Sequence, residues 1–350
     1  MLRTFRDDGV AGMGVKSLMK IAFAGTGYIS RVHARAAQST GLDLVAVVNH
    51  QVESMVEFGN QFGIDRHYET VEAMLENGDV DALVVSTPNY LHAAQTIAAL
   101  DGGVHVMVEK PMAINAGEAI QMCAAAEKSG ATLMVAHCWR FDPEVLWLKE
   151  QSKRLGDVIR TRGIGVHTNW GPSGWFTQKK FAGGGAMADM GIHALDTARF
   201  LLGDPAPVSV YANIGTYYKD YDVDDTGVMI VKWDNGSTSY IESGWWQPHA
   251  DGPEAATQLY GTKGYGELFP TRLELPDSRE NRVDVMESGF EFPRREHCPQ
   301  SLYDEQMQYF VECITKDQTP VPGGPEGLIN MKIVDAGYRS SETGEVVEIK

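Results

Sequence analysis

The chain has 350 residues, 43% of them hydrophobic, four cysteines and a formal net charge of −17. That length exceeds one ordinary domain and supports sizeable cores, and the hydrophobic content excludes a disordered chain. The acidic balance argues against nucleic acid as a partner, because such a surface repels phosphate backbones.

No apolar run approaches the length of a membrane span, so no membrane partner is expected. Residues 1–17 include Arg3, Arg6, Asp7 and Asp8 without an apolar stretch. They read as a loose, poorly ordered extension, not as a signal peptide. Cys123, Cys138, Cys298 and Cys313 lack CxxC spacing, and nearby histidines complete no metal pattern. Buried free thiols in a cytoplasmic protein are expected, with no metal.

Lys20 to Ala24 form a buried-strand pattern that runs into Gly25-Thr26-Gly27-Tyr28-Ile29-Ser30, and a helical pattern follows. Strand, glycine turn and helix in that order are the context a dinucleotide fingerprint requires. Gly25 allows the tight turn, and Gly27 lets the backbone approach a pyrophosphate at the helix N-terminus. Ser30 replaces the third glycine and is still small. The second strand, 44–48, ends at Asn49, where an acidic residue would take the adenosine ribose hydroxyls. Asn49 both donates and accepts, so it still suits a diol. Residues 49–61 contain Glu53 and Glu57 but no Lys or Arg, which favours NAD over NADP. Arg31 or Arg35 would alter that preference by reaching across.

Strand patterns at 82–86, 104–108 and 132–136 alternate with helical patterns at 93–100 and 116–129. Such alternation implies a parallel, doubly wound sheet. Pro111 should end one strand so that the Lys110 ammonium projects from its carboxyl end, the edge where open α/β sheets bind ligands. After Pro143 the pattern changes. Strands are expected at 158–166, 208–214, 227–233, 237–243 and 257–261, with a hairpin signal at Asp234-Asn235-Gly236. A glycine- and aromatic-rich loop covers 170–185, and helices are expected at 188–202, 301–315 and 326–341. Gly183-Gly184-Gly185 suits a backbone passing close to a ligand. Asp189 and His193, four apart, share a helix face, and Asp196 falls near it.

Five stretches in order resemble the Gfo/Idh/MocA family, the glucose-fructose oxidoreductase and inositol dehydrogenase group. They are Gly25-Thr26-Gly27, Ser86-Thr87-Pro88-Asn89-Tyr90-Leu91-His92, Glu109-Lys110-Pro111, His137 to Pro143, and Gly183 to Asp196. The resemblance runs from about residue 20 to 349. It implies an α/β protein with an N-terminal Rossmann domain, placed at 18–140. A second α/β domain with a large, mostly antiparallel open sheet would fill 141–350, and the C-terminal helix is expected to pack back on the first domain. It further implies NAD(P)-dependent oxidation of a sugar or cyclitol hydroxyl; with the acidic stretch after Asn49, the expectation is an NAD-dependent enzyme for a sugar, anhydrosugar or cyclitol, NADP being the less favoured cofactor. By position, Lys110, Asp189 and His193 match the family's catalytic lysine, aspartate and histidine. Cofactor contacts are expected from Gly25, Thr26, Gly27, Tyr28, Ile29 and Asn49. More are expected from Ser86, Thr87, Pro88, Asn89, His92, Glu109, Lys110 and Arg140. Ser30 and Asn49 depart from the family pattern.

Oxidising a carbinol needs a hydride acceptor facing the C–H bond and a base within reach of the O–H. His193 is the candidate base, with Lys110 stabilising developing alkoxide charge. Burial should lower the Lys110 pKa, which leaves it open as base or relay. Asp189 is expected to bind and orient a substrate hydroxyl and to raise the basicity of His193. His167, Asn169 and Trp175 are further substrate contacts, the indole through sugar stacking. Two other readings are a redox-neutral enzyme that cleaves or eliminates by transient oxidation, and a non-catalytic sugar-sensing protein. A sheet face without helices of its own predicts a homodimer or homotetramer.

Overall fold

The computed structural model describes residues 18–248, 254–277, 279–296 and 298–349. The extension expected over residues 1–17 lies outside the described residues. The first sheet has six parallel strands: β1 (Lys20–Ala24), β2 (Asp43–Val48), β3 (Arg66–Tyr68), β4 (Ala82–Val85), β5 (His105–Glu109) and β6 (Leu133–Ala136). Their order is β3-β2-β1-β4-β5-β6, so the strand order reverses between β1 and β4 and opens a crevice there. Strands covered on both faces read as near-continuous apolar runs, and all four residues of β4 are buried.

Alternate residues of these strands feed two separate cores. Phe23, Val84 and Met107 meet helices Tyr28–Ser39, Val52–Phe62 and Gln300–Thr315. Leu83, Val106 and Val135 meet helices His92–Asp101, Ala116–Ser129 and Gly324–Thr343. Two helices from the far end of the chain thus return to the first sheet. Asp335 accepts the Ala116 amide at 2.8 Å, which docks the last helix on Ala116–Ser129.

The second sheet has nine strands: β7 (Val158–Thr168), β8 (Pro207–Gly215), β9 (Thr226–Trp233), β10 (Thr238–Gln247), β11 (Ala255–Gly261), β12 (Gly264–Leu268), β13 (Arg272–Asp277), β14 (Arg282–Glu287) and β15 (Val347–Glu348). Their order is β14-β13-β12-β11-β7-β10-β9-β8-β15, and only β7–β10 pair in parallel. The expected hairpin joins β9 to β10, with Gly236 at φ +84°. Strands β3 and β12–β15 were not expected. Strand β14 has no buried residue, and its alternating Val283 and Val285, 53% and 51% exposed, make too short a pattern to stand out.

Helix Ile192–Leu201 lies against β7 because β7 has glycine where the two meet. A Cβ on Gly163 would stand 2.8 Å from the Ala194 carbonyl oxygen, and one on Gly165 would strike the Met190 carbonyl. The turn before this helix, Met187–Gly191, is π-helical, where the sequence pattern predicts one continuous helix over 188–202. The Asp224 carboxylate begins the turn by accepting the Gly185 and Met187 amides, each at 2.7 Å. The three glycines serve this packing. A Cβ on Gly183 would stand 2.7 Å from the Ile114 carbonyl, and those on Gly184 and Gly185 would strike Tyr338 and Asp224. The close approach read from them is therefore to the protein's own backbone and side chains, not to a ligand.

A buried ion cluster ties the two sheets together. Arg140, just past β6, donates to both oxygens of Asp196 at 2.8 Å and to Asp204 at 2.8 and 3.2 Å. Asn330 donates to Asp196 at 2.8 Å. Burial alone would raise the Asp196 pKa, but Arg140, His137 and Asn330 outweigh it and hold the carboxyl below the ordinary aspartate range. The folded value lies under the unfolded value of about 3.9. The cluster's contribution is therefore complete above that pH and is lost as pH falls through the folded value. Removing one partner of such a pair leaves a buried charge uncompensated. Arg140→Ala should lower the unfolding free energy by about 3–5 kcal/mol in urea titrations at neutral pH. A loss near zero would place the cluster's weight elsewhere.

Candidate active site

The site forms where the carboxyl end of β5 meets the π-helical turn. Strand β5 ends at Glu109, and Lys110 follows ahead of a cis peptide bond to Pro111. The Lys110 Nζ donates to Asp189 Oδ1 at 2.9 Å and to the Asp189 carbonyl at 3.1 Å. Trp245, fully buried on β10, donates its indole N–H to Asp189 Oδ2 at 3.1 Å. Both carboxylate oxygens are thus engaged, one from each sheet.

Burial pushes the Lys110 ammonium toward neutrality, as the sequence led us to expect. Asp189, by charge and hydrogen bond, and Glu109 outweigh it, so the Lys110 pKa is raised, not lowered. Burial would likewise raise Asp189, but Lys110 first, then His167 and Trp245, hold it below the usual carboxylate range. The pair is charged in the resting protein, with Lys110 as a donor.

Lys110 is steadied from behind. Glu109 Oε2 accepts the Lys110 amide at 3.1 Å, and Glu109 Oε1 bonds His33 Nε2 at 2.7 Å. His33 is fully buried on helix Tyr28–Ser39, so the fingerprint helix and the lysine strand are linked. His92 faces the Pro111 and Thr87 carbonyls at 2.9 and 2.8 Å, which pins the loops after β4 and β5 together. Burial lowers the His92 pKa despite both carbonyls, so the ring is held toward neutrality. Asn89 donates to the Ala182 carbonyl at 2.9 Å and joins the same edge to the second half of the chain.

His193 lies in the first turn of helix Ile192–Leu201, four residues after Asp189. Its ring stacks on Trp139, with centroids 5.1 Å apart and planes at 24°. Trp139 follows β6 closely, and β6 pairs with β5 through Glu109 and Ala136. Lys110 and His193 are therefore both held at the β5–β6 end of the first sheet. His167, at the end of β7, feels the charges of Asp189 and Lys110, and burial lowers its pKa. Its ring stacks on Trp170 at 3.6 Å.

Other expected contacts fall elsewhere. Arg140 points into the buried ion cluster, and Asp196 belongs to that cluster instead of the Asp189 face. Asn169 and Trp175 make no hydrogen bond to Lys110 or Asp189 among the described residues. Asn169 is held through its backbone by Gln247, and Trp175 stacks on Phe176. Trp245 and His33 were not read from the sequence, and Trp139 stood there only as a member of the His137 to Pro143 motif, with no role assigned. A histidine among the apolar residues of a helix face was the one usable signal; the two indoles meet their partners only through tertiary packing.

The residues after β1 fit a dinucleotide. A Cβ on Gly25 would stand 2.7 Å from the Ser86 carbonyl, so the turn tolerates no side chain. A Cβ on Gly27 would meet nothing within 4 Å, leaving open space at the head of helix Tyr28–Ser39. No side chain caps that helix, and its first turn holds no acidic residue, so its amides suit a pyrophosphate. Tyr28 is exposed there, and Ile29 is half-buried. Ser86 hydrogen-bonds Ser30 at 2.7 Å, and Thr87 donates to Gln95 at 2.7 Å, ahead of Pro88. Asn49 donates to Thr26 at 2.6 Å and accepts the Gln51 amide. Arg31 does reach the second helix, but Glu57 at 2.9 Å and Gln61 take its guanidinium.

Among the described residues, no helix is long and apolar enough to cross a membrane, and no group of three His, Cys, Asp or Glu is placed to hold a metal. Residues 19–137 match a family model described as oxidoreductase family, NAD-binding Rossmann fold. Residues 150–267 match the GFO/IDH/MocA C-terminal domain. The D-xylose 1-dehydrogenase (NADP(+)) 2 of Haloferax volcanii is 30% identical, over 97% of this chain and 98% of that protein. The D-glucoside 3-dehydrogenase of Escherichia coli is 29% identical, over 95% of this chain and 98% of its own length. A levoglucosan dehydrogenase solved in complex with NADH shares the fold, with a TM-score of 0.84 at 21% identity over 95% of this chain and 100% of that one. With an NAD-binding Rossmann domain and the matching C-terminal domain in one chain, the protein belongs to the Gfo/Idh/MocA family of oxidoreductases.

Proposed function

We propose that the protein transfers a hydride between NAD and a hydroxyl-bearing carbon of a sugar, anhydrosugar or cyclitol. The observation that carries this reading is the Lys110 ammonium fixed by Asp189 at the carboxyl edge of β5. Bound NAD supplies the hydride acceptor at its nicotinamide ring. Gly25, Thr26, Gly27, Tyr28 and Ile29 would hold its pyrophosphate, and Asn49 its adenosine ribose. Ser86, Thr87 and Pro88 would line the crevice, while Asn89, His92 and Glu109 fix the loops around it. Arg31 is tied to Glu57, so a 2′-phosphate would have to break an ion pair to gain a counter-charge. That supports NAD over NADP.

Lys110 donates to the substrate oxygen and stabilises alkoxide charge as it develops, the role its raised pKa supports. His193 takes the hydroxyl proton, and Asp189 orients Lys110 and the substrate. His167, held toward neutrality by burial, reads a neighbouring hydroxyl. Lys110→Met should lower kcat by about 10²–10³-fold, while NADH binding, followed by fluorescence titration, stays intact. A screen of monosaccharides, anhydrosugars and inositols with NAD and NADP identifies the substrate for that assay. A variant with near-normal kcat would remove Lys110 from the chemistry.

The outer face of the second sheet supports a homo-oligomer, a dimer or a tetramer. Tyr211, Ile230 and Tyr240 stand opposite one another across β8, β9 and β10, and Ile230 is 42% exposed. An apolar face of this kind marks a subunit interface. Ile230→Asp should shift the protein toward monomer in sedimentation velocity, and an unchanged sedimentation coefficient would exclude this face.

A further inference from the structure

Strands β7 and β10 pair out of step beside the site. The ladder joins Gly244 to Val166 and Gln247 to Thr168, so Trp245 and Trp246 together stand opposite His167 alone. A bulge of this kind re-aims side chains. Trp245 turns inward and donates to Asp189 at 3.1 Å. Trp246 takes φ +59°, a conformation that bulky residues avoid unless their surroundings hold it. The loop after β7 does the holding. The Trp246 amide donates to the Trp170 carbonyl, and the Asn169 amide to the Gln247 carbonyl, each at 2.8 Å. A Cβ on Gly171 would stand 2.5 Å from the Trp246 indole nitrogen, so the loop lies on that ring. The Trp170 backbone is thus fixed by the residue next to the one that holds Asp189.

The Trp170 side chain stays open. One face of its indole stacks on His167, with centroids 3.6 Å apart, yet the residue is 48% exposed, so the other face meets solvent. Exposure rises outward from the charge pair: Trp245 is fully buried, and the Lys110 and Asp189 side chains are 15% and 16% exposed. A second aromatic arm leaves the same end of the sheet, because β9 runs antiparallel to β10 and β8 antiparallel to β9. The buried Asp225 carboxylate accepts the Tyr217 and Tyr218 amides at 2.8 and 2.7 Å, and the Asp225 carbonyl accepts the Trp245 amide at 2.7 Å. Tyr217 is 72% exposed. Both arms are therefore anchored on the Trp245–Trp246 bulge.

We propose that Trp170 is the platform of a second sugar subsite, and that the substrate is a glycoside whose outer pyranose ring stacks on the open face of this indole. The inner ring reacts at Lys110 and Asp189, in the buried part of the crevice. Trp170 lies further out, so it meets the part of the substrate that protrudes. An indole face matches the C–H face of a pyranose, and a platform whose backbone is already fixed loses little freedom on binding. The glycosidic bond stays intact. This substrate class rests on the hydride transfer proposed above; the stacking itself does not.

The test uses pairs of probes that share the reacting ring and its anomeric configuration and differ in the second ring: methyl β-glucoside with cellobiose, methyl α-glucoside with maltose, and methyl β-galactoside with lactose. Initial rates with NAD give kcat and KM, and calorimetric titration of the same sugars into protein holding NADH reads binding without turnover. A two-ring probe should exceed its one-ring counterpart in kcat/KM, chiefly through KM. Trp170→Ala should remove about 3–10-fold of that preference, the size of one aromatic stacking contact, and Trp170→Phe should restore part of it. One-ring probes favoured throughout, or the same preference in Trp170→Ala as in wild type, overturns the subsite and leaves the hydride transfer standing. Oxidation of no probe counts against the hydride transfer, and the titrations then decide the subsite alone. Tighter binding of a two-ring probe that Trp170→Ala weakens supports it; equal binding of both members of every pair, or none, overturns it.

Discussion

The arrangement depends on one charge pair, Lys110 with Asp189, made between the end of a parallel strand and a π-helical turn of the other half of the chain. An isolated ammonium at that depth would tend to lose its proton. The carboxylate prevents this, and Trp245 and Asp224 fix where the carboxylate stands. The pair thus does two jobs. It aligns the two sheets at the crevice, and it sets the lysine's protonation state.

That alignment is reinforced on three sides. The Arg140 cluster joins the end of β6 to helix Ile192–Leu201 and to the last helix. Glu109 and His33 link the lysine to the fingerprint helix, and Asn89 crosses to Ala182. Glycines on β7 let helix Ile192–Leu201 approach within backbone contact, so Asp189 and His193 are positioned by main-chain packing more than by side chains. A site built on strand ends and a buried helix holds its geometry better than one built on loops.

Much of this was legible because it is local. The strand–glycine–helix unit at Lys20 to Ala37 and the proline after Lys110 carry their geometry in neighbouring residues, and the first sheet followed from them. The order of five motifs carried the family and drew attention to Lys110, Asp189 and His193, the first two of which the fold joins by a hydrogen bond. What escaped is long-range. Arg140 reads as a cofactor residue until Asp196 and Asp204 are seen beside it. The triple glycine reads as a ligand approach until Tyr338 and Asp224 fill the space. Charge state escaped for the same reason: burial of Lys110 can be guessed from sequence, but the carboxylate that outweighs it cannot. Exposed β14 offers only Val283 and Val285 in alternation, too short a pattern to separate from a loop.

Whether Lys110 acts as donor or base turns on its proton, so the direct measurement is its own titration. In protein carrying ¹⁵N-labelled lysine, with the Lys110 resonance assigned by Lys110→Arg, the ammonium should persist beyond pH 10.5, the ordinary lysine value. A midpoint near neutral pH would contradict the account, because the lysine would then be free to take the substrate's proton itself.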